Sequence, residues 1–210
     1  MAFVELEVPF VPQNEIGGHT GHIHHSEQNG CWYASTCMVS YFWEAGPRLG
    51  VPEQYARDPS DPDPMGARYA ELKQNEHFEG VPLPSNKTWT APVLMRILSQ
   101  RGPCYVRRGF RDSTTGELVG GHAIVLVGAN NGTNQVAVLD PWETTRAKGR
   151  KVYTLAQFND FFKWDEPWAR GISLMYKKQP SLSDAVAYIS TKLVSSWVIP
   201  WTPARPRAFA

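Results

Sequence analysis

Cysteine is scarce in this chain, at three residues in 210: Cys31, Cys37 and Cys104. So small and odd a number argues against a disulfide framework. On one helix, Cys31 and Cys37 would point about 120° apart and could not easily bridge. Excess charge is lacking too. A formal net charge of +1 gives no general argument for binding nucleic acid or a membrane surface. No run approaches the roughly 18 apolar residues of a membrane span. The start, Met1-Ala2-Phe3-Val4-Glu5-Leu6-Glu7, lacks the basic region and apolar core of a secretory signal. No internal repeat is found. Reduced thiols without such a signal fit a cytosolic site of synthesis or action.

What is present is an ordinary globular composition, 42% hydrophobic and 20% charged, with 17 prolines and 8 tryptophans. The prolines and tryptophans point to long ordered loops and aromatic-lined surfaces. The length suits one substantial core over residues 1–176, with an appended helix and tail over 177–210 packed on the same domain. Residues 3–12 alternate apolar and acidic before prolines, which predicts an edge strand or extended entry arm. Residues 31–45 predict a helix with Cys31, Ser35, Met38 and Phe42 on one face, stopped by Gly46-Pro47. Residues 47–90 read as loop-rich, with a short helix over 65–77. Thr90-Ala91-Pro92 opens a further helix, with Thr90 as its cap, that ends at Gly102-Pro103.

The remainder is mainly strand. Cys104 to Arg107 is a short strand, and Ala123 to Val127 is apolar throughout and so central in a sheet. Asn130-Asn131-Gly132 turns the chain into Gln135 to Leu139. Lys151 to Tyr153 is a strand, Thr154 caps a helix through Phe162, and Ile172 to Tyr176 closes the sheet. Ser181 to Trp197 predicts an amphipathic helix.

The chemistry centres on Cys31, in Glu27-Gln28-Asn29-Gly30-Cys31-Trp32-Tyr33-Ala34, where a loop meets an apolar helix. A thiol near its free pKa is a poor nucleophile at neutral pH; a helix N-terminus and a neighbouring imidazolium both favour the thiolate. Trp32 is placed to shield such an ion pair from water. His122 follows Gly120-Gly121, which would let a substrate backbone approach, and it opens the apolar strand. Asp140 ends the partner strand and can accept a hydrogen bond from His122, fixing its tautomer. Nucleophile, base and orienter are then Cys31, His122 and Asp140. An oxyanion hole would use the Cys31 backbone N–H and an upstream glutamine, with Gln13 and Gln28 as candidates.

These residues resemble the papain-like peptidases grouped around the AvrRpt2 effector of plant-pathogenic bacteria, and also the bacteriocin-processing peptidases that cut after double glycine. The matching text is Val8-Pro9-Phe10-Val11-Pro12-Gln13, Cys31-Trp32-Tyr33-Ala34 with Met38, Leu94 to Val106, Gly121-His122-Ala123-Ile124-Val125 and Asp140-Pro141-Trp142. The resemblance implies an α+β papain-like fold, with an N-terminal helical lobe carrying Cys31 and an antiparallel β-sheet lobe carrying His122 and Asp140. It implies hydrolysis of a protein substrate without a cofactor or metal, by a bacterial effector or toxin delivered into another cell. A neutralising immunity protein in the producer would accompany a toxin. The family's glutamine stands a few residues before the cysteine. Gln13 has the matching motif but a Gly/His insertion follows it; Gln28 is close to Cys31.

Other readings compete. Glutamine deamidation and acyl transfer use the same triad, and a binding module could keep the fold without chemistry. Cys37 and Cys104 read as small buried hydrophobes. His19, His22, His24 and His25 have metal-compatible spacing, but a solvated loop is the plainer account, and a substrate-facing lid a third. Arg107-Arg108-Gly109-Phe110-Arg111 could contact an acidic partner, but a solvated hairpin is the plainer account.

Overall fold

A computed structural model describes residues 3–13, 30–43, 76–111, 114–116, 118–162 and 172–179. The chain divides into two compact units, Met1–Lys177 and Lys178–Ala210. Only Lys178 and Gln179 of the second are described, so the helix expected over 181–197 lies outside the described residues, as does most of that expected over 65–77.

The first unit is built on one antiparallel sheet. Its strands are β1 (Phe3–Glu5), β2 (Phe78–Pro82), β3 (Cys104–Arg111), β4 (Leu118–Asn130), β5 (Gln135–Leu139), β6 (Arg150–Thr154) and β7 (Ile172–Lys177). The order is β2-β7-β3-β4-β5-β6, with β1 paired to β4 at Gly128–Asn130. The described helices are α1 (Cys31–Trp43), α2 (Ala91–Arg101), α3 (Arg146–Gly149) and α4 (Leu155–Asp160). Mixed helices and an antiparallel sheet make the fold α+β and papain-like, as the resemblance implied.

Alternation along the central strands creates two cores. Tyr105, Ala123, Val125, Val127 and Leu139 pack with Trp32, Tyr33, Cys37, Met38 and Val39 of α1. Their neighbours Val106, Ile124, Leu126, Val136 and Val138 pack with Leu94 and Leu98 of α2 and Phe158 of α4. Being buried on both faces, β4 reads as an unbroken apolar run. Helix α1 is buried continuously from Trp32 to Ser40, wider than the expected stripe. Its polar groups therefore need internal partners: Thr36 Oγ1 donates to Trp32 O at 2.8 Å and Ser40 Oγ to Glu76 Oε2 at 2.9 Å.

Several expectations need correction. β2 lies in the stretch read as loop: Phe-Glu-Gly-Val-Pro shows no alternation, and edge pairing with β7 tolerates its proline. β7 accordingly does not close the sheet; it lies between β2 and β3. β3 continues to Arg111, past the expected end at Arg107. Pro92 stands in the first turn of α2, but Thr90 makes no side-chain cap bond; its carbonyl accepts from Leu94 N–H at 3.1 Å. Gly102 ends α2 with φ 78°, and its α-hydrogen side faces the Trp43 ring, which would lie 2.6 Å from any Cβ there. Thr154 caps α4 in a reciprocal pair with Gln157, as expected from its position.

Candidate active site

Helix α1 starts at Cys31 because the Gly30 carbonyl takes the Ala34 N–H at 3.0 Å, leaving the first-turn N–H groups directed out of the helix end. Cys31 is half-buried there, beside the buried Trp32, which packs edge-on to Tyr33 in the core between α1 and the sheet.

His122 lies on β4, in register with Arg108 of β3, and is 7% exposed. Asp140 directly follows β5, and its N–H donates to Gly149 O at 2.8 Å. Its Oδ1 meets His122 Nε2 at 2.7 Å and accepts the Trp142 N–H at 3.0 Å. The imidazole is also hydrogen-bonded to the Cys31 side chain. With Nε2 committed to the carboxylate, Nδ1 is the nitrogen left for sulfur. The structure thus brings Cys31, His122 and Asp140 into one row, with the ring between sulfur and carboxylate.

The electrostatics follow from that row. Burial alone would lower the pKa of His122, but hydrogen bonds and charges from Asp140 and Cys31 outweigh it and lift the pKa to about 9. Burial likewise opposes ionisation of Asp140. The His122 hydrogen bond and charge, the Trp142 N–H and Arg108 overcome it and hold the carboxyl below its usual range. At neutral pH the ring is therefore an imidazolium beside a carboxylate.

Gln13 reaches the same place from the N-terminal arm. It is 3% exposed, and its N–H donates to Pro141 O at 2.8 Å, one residue from Asp140. Gln28 lies outside the described residues, as do His19, His22, His24 and His25. Among the described residues no group of three or more His, Cys, Asp or Glu could hold a metal ion. No helix among them is long and apolar enough to cross a membrane.

One reading of the site's surroundings changes. Gly121 is exposed, and the Arg107 guanidinium lies beside it, with Nη2 2.6 Å from where a Cβ would stand. The arginine-rich stretch is one strand of a hairpin, as read, but it is only partly solvated. Arg108 Nη1 donates to the Tyr153 hydroxyl at 3.3 Å, and its guanidinium lies 4.8 Å from the centre of the Phe161 ring. Cys37 and Cys104 are buried, as read; Cys37 bonds the Tyr33 hydroxyl, and burial pushes the Cys104 thiol up to about 12. Sequence reasoning missed Arg108 as a neighbour of Asp140, and nothing in its local pattern marks it.

The sequence profile of the family described as papain-like cysteine protease AvrRpt2 matches residues 18–162 of this chain, more than half of its 210 residues. That span holds Cys31, His122 and Asp140, and leaves out Gln13. A half-exposed thiol at a helix start, an imidazolium and a part-buried carboxylate are groups that such a hydrolase can use. The chain belongs to the AvrRpt2 family of papain-like cysteine proteases, and is a cysteine peptidase acting on protein.

Proposed function

We propose that this peptidase is an endopeptidase that cuts a protein target through Cys31, His122 and Asp140. Cys31 Sγ, its proton already resting on the His122 imidazolium, attacks the scissile carbonyl. The C–N bond then breaks as His122 returns the proton to the leaving amine. Water, deprotonated by the same ring, cleaves the thioester and frees Cys31. Asp140 keeps the ring oriented and stabilises its charge. The Cys31 N–H and a glutamine side chain hold the oxyanion. Gln13 is favoured for that glutamine over Gln28, because its backbone is bonded to Pro141 beside the site.

The observation that carries the reading is the imidazole shared between Asp140 Oδ1, at 2.7 Å, and the Cys31 side chain. By its likeness to AvrRpt2 the protein is an effector or interbacterial toxin, acting in the cytosol of the cell that receives it. A toxin of this kind has a cognate immunity protein in its producer. Cleavage after small residues such as Gly rests on the likeness to the double-glycine processors and on Gly120 and Gly121 beside His122.

A proteome-wide search for new N-termini tests this reading, comparing the active protein with Cys31→Ala. New N-termini that appear only with the active protein are the expected result. An intact target carrying a deamidated glutamine, or an effect unchanged by Cys31→Ala, would overturn it.

A further inference from the structure

The N-terminal arm is fastened to the sheet domain along its whole described length. Glu5 takes Arg150 through Nε at 2.6 Å and Nη2 at 2.8 Å, and Glu7 pairs with Arg146 at 2.9 Å. Leu6 N–H donates to Val127 O at 2.9 Å, and Val8 is buried in the core against α1. Phe10 comes next. Its ring lies on Gly149, where a Cβ would meet ring carbons at 2.5 and 2.7 Å. Three residues on, Gln13 is bonded to Pro141.

Gly149 serves two sides. Its carbonyl accepts the Asp140 N–H at 2.8 Å, and a Cβ on it would also stand 2.9 Å from Asp140 O. Its φ is not in the left-handed region, so space is what demands glycine here. Only a residue without a side chain lets an aromatic ring sit so near the backbone that carries the carboxylate. The ion pairs are exposed and screened, and set position weakly. Apolar contact with a rigid turn sets it better.

We infer that Phe10, seated on Gly149, is a positioning residue that fixes where Gln13 stands relative to Asp140 and Cys31. This rests on reading Gln13 as the oxyanion donor. The arm is then part of the catalytic apparatus. Phe10 registers it against the end of α3, whose Gly149 carbonyl holds the Asp140 N–H, so glutamine and carboxylate keep a common frame. Loss of the ring lets the arm shift while the Cys31–His122–Asp140 row stays intact. A misplaced oxyanion donor costs turnover more than substrate binding.

The test is a double-mutant cycle in the full chain: Phe10→Ala and Gln13→Ala singly and together, with Phe10→Leu as the conservative variant. Steady-state kinetics on a peptide substrate and thermal unfolding are measured for each. Gln13→Ala is expected to lower kcat about 100-fold with little change in KM. Phe10→Ala is expected to lower kcat about 10-fold or more, and to cost no further turnover once Gln13 is already Ala. Phe10→Leu restores most of the loss. A Phe10→Ala loss of the same factor in both backgrounds, or one that tracks the melting temperature alone, would overturn the inference while leaving Gln13 in place. No effect of Gln13→Ala would remove the oxyanion reading itself, and the inference with it.

Discussion

Oδ1 of Asp140 lies 2.7 Å from Nε2 of His122, and the same oxygen receives the backbone N–H of Trp142 at 3.0 Å. The carboxylate is thus held by its own turn before it holds the ring. With the imidazole pKa raised to about 9, the ring is protonated at neutral pH and, in the proposed mechanism, supplies the proton for the leaving amine. We expect kcat/KM to fall as pH rises through about 9, where the imidazolium is lost. Asp140→Asn removes the main source of the upward shift. Its alkaline limb should move down by about one unit or more, with a lower plateau, in a pH–rate profile.

The same pair contributes to stability with a defined sign. His122 has a raised folded pKa, so its contribution is complete below its usual 6.5 and vanishes as pH climbs through about 9. Asp140 has a depressed one, so its contribution is complete above its usual 3.8 and vanishes as pH drops through the folded value. The rise from 6.5 to about 9 is worth about 3 kcal/mol, shared between Asp140 and Cys31. Urea titrations of Asp140→Asn should show Asp140's share of that loss between the two usual values and little of it at higher pH, where the ring is neutral.

Arg108 offers a check on what keeps Asp140 charged. It lies across from His122, reaches Tyr153 of β6 and adds to the downward shift of the Asp140 pKa. His122 and the Trp142 N–H act in the same direction. Lys151 of β6 is close enough to feel the Asp140 charge. Arg108→Met should raise the Asp140 pKa, read by carboxyl NMR titration, whereas Arg108→Lys should keep most of the shift. Equal values in all three proteins would deny Arg108 that influence.

Thiol labelling separates the cysteines. Cys31 is half-buried at a helix end, while Cys37 and Cys104 are sealed in the two cores. Burial pushes the Cys104 thiol up to about 12, so it presents almost no thiolate. Iodoacetamide on the folded protein should modify Cys31 alone, by peptide mass spectrometry, with parallel loss of activity. Labelling of Cys37 or Cys104 at a similar rate would contradict the packing described.

Lys177 and Glu76 form a buried pair, with Nζ 3.5 Å from Oε2 and 3.2 Å from the Glu76 carbonyl oxygen. Ser40 of α1 donates to the same carboxylate, so the pair ties the helix of Cys31 to β7. Removing one partner leaves the other stranded. Glu76→Ala should cost about 3–5 kcal/mol, whereas replacing both with methionine should cost much less. Denaturant unfolding of the three variants measures this.

The legible parts of the fold were those whose pattern is local. β4 and β5 stood out as apolar runs joined by Asn130-Asn131-Gly132, where Asn130 Oδ1 takes the Gly132 N–H at 2.8 Å. Cys31 and Asp140 were legible because each stands at an element's end; His122 was legible because it opens the apolar run, although β4 itself begins four residues earlier, at Leu118. β2 was not, since its pairing comes from a strand nearly a hundred residues away and its own residues lack alternation. The arginines of β3 read as solvated because charge ordinarily means water, yet Arg108 lies over an aromatic ring. The contact of Phe10 with Gly149 left no sign at all: only the folded chain makes a bare α-carbon there necessary.

β7, made after every other strand described, takes an interior place in the sheet between β2 and β3. A nascent chain therefore cannot join β2 to the rest until residue 177 has left the ribosome, and the helix bearing the nucleophile lacks its Lys177 tether until then. A frameshift or stop codon ahead of Ile172 would remove at one stroke the partner strand of β2 and the Lys177 side chain that reaches Glu76.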